Sequence, residues 1–122
     1  MNSIKKTLIL GASHKPERAS YEAAIKLQKK GYEFEMVGNK EAEVAGKSII
    51  KGTPFFDDIH TVTLYLNALN QKEYYSYILS LKPNRIIFNP GAENEELKQL
   101  ATKNGIETEE ACTLVMLSIG HF

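Results

Sequence analysis

A single cysteine, Cys112, stands in the whole chain, which excludes an internal disulfide and a cysteine-rich zinc site. No apolar run approaches the ~20 residues that a membrane-spanning helix needs, so no membrane partner is expected. Neither sign of charge is in excess. The 15 Lys and Arg balance 15 Asp and Glu, so no overall field draws the chain to nucleic acid, although a local basic pocket stays open. His14, His60 and His121 are dispersed, with no H-x-x-x-H spacing. Neither a metal site nor a catalytic pair is therefore readable, and no Ser-His-Asp or paired-carboxylate arrangement can be assigned from spacing. Met1 to Lys6 carry no apolar signal segment, and a cytoplasmic location is the expectation. Length leaves no room for a second domain: residues 1–122 are expected to fold as one, burying roughly two thirds of the unfolded surface.

What is present is organised around Thr7 to Ser20. Thr7-Leu8-Ile9-Leu10 is a short continuous run of the kind found in a strand covered on both faces. Gly11 follows, where the backbone can turn sharply without a Cβ, and Ala12 and Ser13 keep the turn small enough for a ligand to approach the main chain. Ser20 puts a hydroxyl at the expected N-cap of a helix reaching about Lys30. Strand, glycine turn and helix N-terminus together make an anion site, because unpaired N–H groups and the helix dipole point at the incoming charge. The second and third glycines of the G-x-G-x-x-G fingerprint are missing, so ordinary dinucleotides are not strongly indicated. A purely structural turn is the alternative.

Gly31 closes that helix, and Tyr32 to Val37 alternate as a second strand. Gly38-Asn39-Lys40 follows, an ammonium where NAD-binding units usually carry an acid. Lys40 reads either as a solvated loop lysine or as the partner of a phosphorylated ribose, as in NADP or coenzyme A. Glu41 to Asp58 is expected as a polar, irregular connection with a brief extended piece at Ser48-Ile49-Ile50; Lys47 and Lys51 are either further cations for the ligand or surface charges. Ile59 to Leu66 reads as the third strand, with Asn67 beyond its end. Asn70 and Glu73 form a capping-box pattern for a helix to Leu81; its Tyr74-Tyr75-Tyr77 cluster reads as a base-stacking platform or, favoured at helical spacing, as packing plus an exposed ring. Arg85 to Asn89 is the fourth strand, Gly91 lies in the turn after it, Asn94 to Lys103 is a helix, Ile106 to Glu109 a last strand, and Thr113 to Ile119 leans helical. This order predicts an α/β fold: a Rossmann-like, doubly wound, mostly parallel five-stranded sheet with helices on both faces. Ligands of such sheets bind at the strands' carboxyl ends, where Gly11 to Ser20, Gly38 to Lys40, Asn67 and Asn89 to Asn94 all fall.

The pattern Leu10-Gly11-Ala12-Ser13…Pro16…Arg18…Ser20-Tyr21, then Lys29-Lys30-Gly31-Tyr32, Val37…Lys40…Gly46-Lys47 and Gly91-Ala92-Glu93-Asn94-Glu95-Glu96-Leu97, resembles the CoA-binding domain proteins. These are small stand-alone relatives of the CoA domain of succinyl-CoA synthetase, and the likeness extends over nearly the whole chain. With the sheet-edge reasoning above, the resemblance implies bound coenzyme A or acyl-CoA and no known reaction. The expected binding residues are Gly11, Ala12, Ser13, Lys15, Pro16, Arg18, Ser20, Tyr21, Asn39, Lys40, Asn67 and Gly91. The chain departs from the family at three places. Val37-Gly38-Asn39-Lys40 keeps the lysine of Val-Asn-Pro-Lys but alters the turn, Leu66-Asn67-Ala68 replaces a proline-bearing segment, and Ala111 replaces the arginine before Cys112. The expected role is non-catalytic binding, as a sensor or accessory module working through a protein partner or as a homo-oligomer; the alternative is an NADP-binding enzyme or redox sensor. Cys112 reads as a nucleophile, as a partner for the CoA thiol, or as an inert buried residue, and the last is favoured.

Overall fold

The computed structural model describes residues 6–122, so Met1 to Lys5, read above for a signal segment, lie outside the described residues. Among the described residues seven strands form one sheet: β1 Thr7–Leu10, β2 Phe34–Val37, β3 Ala42–Val44, β4 Lys47–Ile50, β5 Thr61–Leu64, β6 Arg85–Phe88 and β7 Glu107–Glu110. Their spatial order is β3-β4-β2-β1-β5-β6-β7, parallel throughout except for the antiparallel β3–β4 pair. Every residue of β1, β5 and β6 is buried, as strands covered on both faces require.

Two cores follow from the strand alternation. Leu8, Leu10, Val62, Leu64, Ile86 and Phe88 point to one face, where Ile78 and Leu81 of α3 (Tyr75–Leu81) and Leu97 and Ala101 of α4 (Glu95–Lys103) cover them. Ile9, Met36, Ile49 and Ile87 point to the other, under Ala23, Ala24 and Leu27 of α1 (Ala19–Lys29) and Met116 and Leu117 of α5 (Thr113–Ser118). Both alanines are fully buried, and their small side chains let α1 lie close on the sheet. Helices thus cover both faces, the expected doubly wound plan. Each fully buried Leu or Ile contributes about 1.5–3 kcal/mol relative to exposure, so the paired layers dominate the stability.

The strand count differs from the five expected: the extended piece expected at Ser48-Ile49-Ile50 is part of a full strand, β4, and a further strand, β3, pairs with it. Ala45 and Gly46 have φ of +54° and +80°, the doubly positive pair that a two-residue hairpin turn favours. Val44 therefore pairs with Lys47, and Ile49 and Ile50 extend the sheet beside Met36 and Val37. The Ala45 carbonyl accepts a bond from Gln28 Nε2 at 3.0 Å, tying this turn to α1.

Two helix starts also differ. Arg18, not Ser20, is the N-cap of α1: its backbone is extended, its side chain makes no cap bond, and its carbonyl receives the amides of Tyr21 and Glu22. Ser20 lies one residue inside the helix and is buried. The helix expected from Asn70 begins earlier, with α2 (Ala68–Gln71) capped by Asn67, whose Oδ1 accepts the Asn70 amide at 2.9 Å. A 3-10 turn, Lys72–Tyr74, separates α2 from α3. The cap three residues upstream takes the Asn70 amide for itself, so Asn70 becomes a helical residue and the proposed Asn70–Glu73 box does not form. Asn94 caps α4 as expected, accepting the Leu97 amide at 3.3 Å.

Candidate functional site

Strand order reverses at β1: the chain steps from it to β2 on one side and later returns to β5 on the other. At such a switch point the loops leaving the two central strands diverge and open a crevice. A cleft of about 660 Å³ occupies this place, lined by the loops after β1, β2 and β5 and by the 3-10 turn. A comparable cavity of about 540 Å³ lies at the opposite edge, among His60, Asn84 and Glu107, which stand at the amino ends of β5, β6 and β7. Open α/β sheets bind their ligands at the carboxyl side of a switch point, which makes the first of the two the candidate site.

The floor is built by close backbone packing. Gly11 and Ala12 both donate their amides to the Val37 carbonyl, at 2.9 and 3.0 Å. Those two N–H groups are therefore spent on the protein, and the amides this turn can offer an anion are those beyond Ala12. A Cβ on Gly38 would stand 2.4 Å from the Ala12 oxygen. Gly11 has φ of +95°, and a Cβ there would meet Leu66 Cγ at 3.0 Å and the Tyr65 carbonyl carbon at 3.1 Å. Glycine is thus required at both turns by the neighbouring chain itself.

Of the residues expected from sequence, Gly11, Ala12, Ser13, Lys15, Arg18, Asn39, Lys40 and Asn67 line this cleft together. Pro16, Ser20, Tyr21 and Gly91 do not. Pro16 is exposed on the loop, Ser20 is buried within α1, Tyr21 packs half-buried on the core between α1 and the sheet, and Gly91 lies exposed with its amide bonded to Glu93 at 3.0 Å. His14 and Gly38, within the stretches expected at this edge, also line it, and Tyr65, Leu66, Asn70, Glu73 and Tyr74 complete the lining without having been expected there. Tyr65 and Leu66 directly follow β5 on the same sheet edge; Asn70, Glu73 and Tyr74 come within reach only because the helix starts at Asn67. Reading Asn67 as the cap was the signal that would have found them.

Lys15, Arg18 and Lys40 bring three cations, from the loops after β1 and β2. Lys47 brings none: it pairs with Glu35 at 3.4 Å and lies over the Phe34 ring, at the amino end of the sheet. Lys51 is exposed and outside the lining. Tyr65 lines the cleft and packs on the core under α1 and α5; its hydroxyl is buried without a well-formed hydrogen bond, and burial pushes its pKa up to about 12. The nearby Thr63 and Thr113 hydroxyls oppose that shift only in part, since they bond each other at 2.7 Å and Thr63 also accepts from Asn89. Tyr65 consequently stays protonated through the physiological range. Burial, followed by the Glu73 carboxylate, raises the Tyr74 phenol as well.

Behind the cleft, amides hold the loops in register. Gln71 Nε2 donates to the carbonyls of Leu66 (2.8 Å) and Ala92 (2.7 Å), and Asn94 Nδ2 donates to Gln71 Oε1 (2.8 Å) and the Tyr75 hydroxyl (2.8 Å). Asn89 Nδ2 donates to Thr63 Oγ1 and the Leu64 carbonyl, while its Oδ1 accepts the Thr113 amide at 2.8 Å. Asn89 and Asn94 lie beyond the carboxyl end of β6, but both are buried and turned to the protein. Cys112 is half-buried at the N-cap of α5, outside the lining. Among the described residues no group of three His, Cys, Asp or Glu could hold a metal ion, and no helix is long and apolar enough to cross a membrane.

Comparison with known proteins adds a family. The model of a family described as a CoA binding domain matches residues 5–118. A solved structure described only as an uncharacterized protein is 55% identical, covers 99% of this chain and 100% of its own, and superposes with a TM-score of 0.95. A hypothetical protein from Pyrococcus horikoshii OT3 is 24% identical over 95% of this chain and 83% of its own, with a TM-score of 0.85. A Thermus thermophilus protein is 19% identical over 98% of this chain and 91% of its own, with a TM-score of 0.79. The likeness to these last two is one of fold. No curated protein matches the chain.

Proposed function

The chain belongs to the CoA binding domain family, and from that premise we propose that it binds coenzyme A, free or acylated, in the cleft at the carboxyl ends of β1, β2 and β5, without catalysing a reaction. The observation that carries this reading is the convergence of Lys15, Arg18 and Lys40, from two separate loops, on the switch point of the sheet. A ligand with phosphates at both the pyrophosphate and the ribose suits such a spread of cations. Lys40 is assigned the 3′-phosphate. Lys15, Arg18 and the N-terminus of α1, an 11-residue helix, are assigned the pyrophosphate. The pantetheine arm would then run past Leu66, Asn67 and Tyr74.

Binding rather than chemistry is the role we assign, because among the described residues no hydrogen-bonded nucleophile and base meet in the cleft. Occupancy would be read out by a protein partner or a second copy of this chain, in the cytoplasm. The ribose phosphate of NADP also suits Lys40, so NADP is the competitor to test. Calorimetric titration of the full chain with CoA, NADP and NAD decides between them. Saturable heat with CoA is expected, together with stabilisation of about 2.7 kcal/mol at one hundred times the dissociation constant. No heat at millimolar CoA and a response to NADP would reject the assignment.

A further inference from the structure

The cleft is charged unevenly from one side to the other. Lys15, Arg18 and Lys40 reach it from the loops after β1 and β2, whereas Glu73 reaches it from the 3-10 turn on the β5 side. Among the described lining residues Glu73 is the single carboxylate, and none of the ion pairs among the described residues includes it. Lys72, its neighbour in sequence, is exposed and outside the lining. The Glu73 charge therefore stands at the rim uncompensated, close enough to Tyr74 to act on its phenol.

With the phosphates on the three cations and the pantetheine arm past Leu66, Asn67 and Tyr74, as proposed above, the acyl end comes to the side of the cleft that Asn70, Tyr74 and Glu73 line. A neutral end is indifferent to the carboxylate there. An anionic end is repelled, across a rim where solvent screens the interaction only in part.

We propose that Glu73 is a specificity-determining residue: it admits coenzyme A and its neutral acyl thioesters and selects against thioesters whose acyl chain ends in a carboxylate. The assignment rests on the coenzyme A reading above and adds to it the class of acyl group. Repulsion between two unit charges at an exposed rim amounts to about three- to tenfold in affinity.

The test is a titration of the full chain with butyryl-CoA and succinyl-CoA, which match in chain length and differ in terminal charge. Succinyl-CoA should bind about three- to tenfold more weakly to the wild type, the gap shrinking in high salt. Glu73→Gln should bring the ratio toward one, and Glu73→Lys should reverse it. If the wild type binds both thioesters equally, or both variants keep its preference, Glu73 does not select and the assignment is wrong while the coenzyme A reading stands. If neither thioester nor CoA itself binds, the reading of the cleft fails first and this assignment fails with it.

Discussion

Gly38 has no room for a side chain, because its α-carbon faces the Ala12 carbonyl across the switch point, and Gly11 is held by Leu66 and the backbone of Tyr65. From sequence, Gly11 stood out as the point where a ligand comes close. The contact that excludes a Cβ there is instead protein against protein, so Gly11→Val strains the turn before it touches any ligand, and it is a poor probe of the site. Lys40 is a cleaner one. It lines the cleft, is exposed, and enters no ion pair among the described residues. If its ammonium meets the 3′-phosphate, Lys40→Ala should weaken CoA about three- to tenfold more than dephospho-CoA, the modest size reflecting solvent exposure. Equal losses for the two ligands would make Lys40 a bystander. Lys47, which sequence left open as a second phosphate partner, cannot share this role, since it is committed to Glu35 at the other edge.

Elements differ in how plainly the sequence announces them. β1, β5 and β6 were legible because a strand buried on both faces needs an unbroken run of buried side chains, and α4 because Asn94 and Asn104-Gly105 mark its two ends. The β3–β4 hairpin was not, because its turn uses Ala45 at positive φ, a conformation that an alanine does not advertise. The start of α2 was misplaced by three residues because Asn67 and Asn70 are chemically identical caps; Asn67 takes the cap, and Gln71 ties the segment to the Leu66 and Ala92 carbonyls. That tie depends on Asn94 in turn. Asn94→Ala should remove the cap of α4 and leave the buried Gln71 Oε1 without its donor, costing about 2 kcal/mol. Thermal unfolding should then occur roughly 6–10 °C lower. An unchanged melting temperature would show that the amide network does not hold the loops.

For the whole molecule, the order of strands and helices was enough to fix a doubly wound sheet, because parallel crossovers leave few topologies open, and with it the edge at which sheets of this kind hold their ligands. The individual lining residues were less legible. Those in the loops after β1 and β2 lie next to their strands and could be named from sequence, whereas Asn70, Glu73 and Tyr74 depend on how α2 and the 3-10 turn fold back. Ser20 and Tyr21 follow the same logic in reverse: once Arg18 takes the cap, both rotate into the helix and toward the core. Whether coenzyme A occupies the switch-point cleft, as proposed, is tested most directly by backbone amide chemical shifts recorded during a CoA titration. Saturable shifts concentrated at Ser13 to Arg18, Gly38 to Lys40 and Tyr65 to Tyr74 are expected. Shifts concentrated instead around His60, Lys82 to Asn84 and Asn104 to Glu107, at the opposite edge, or no shifts at saturating CoA, would contradict the proposal.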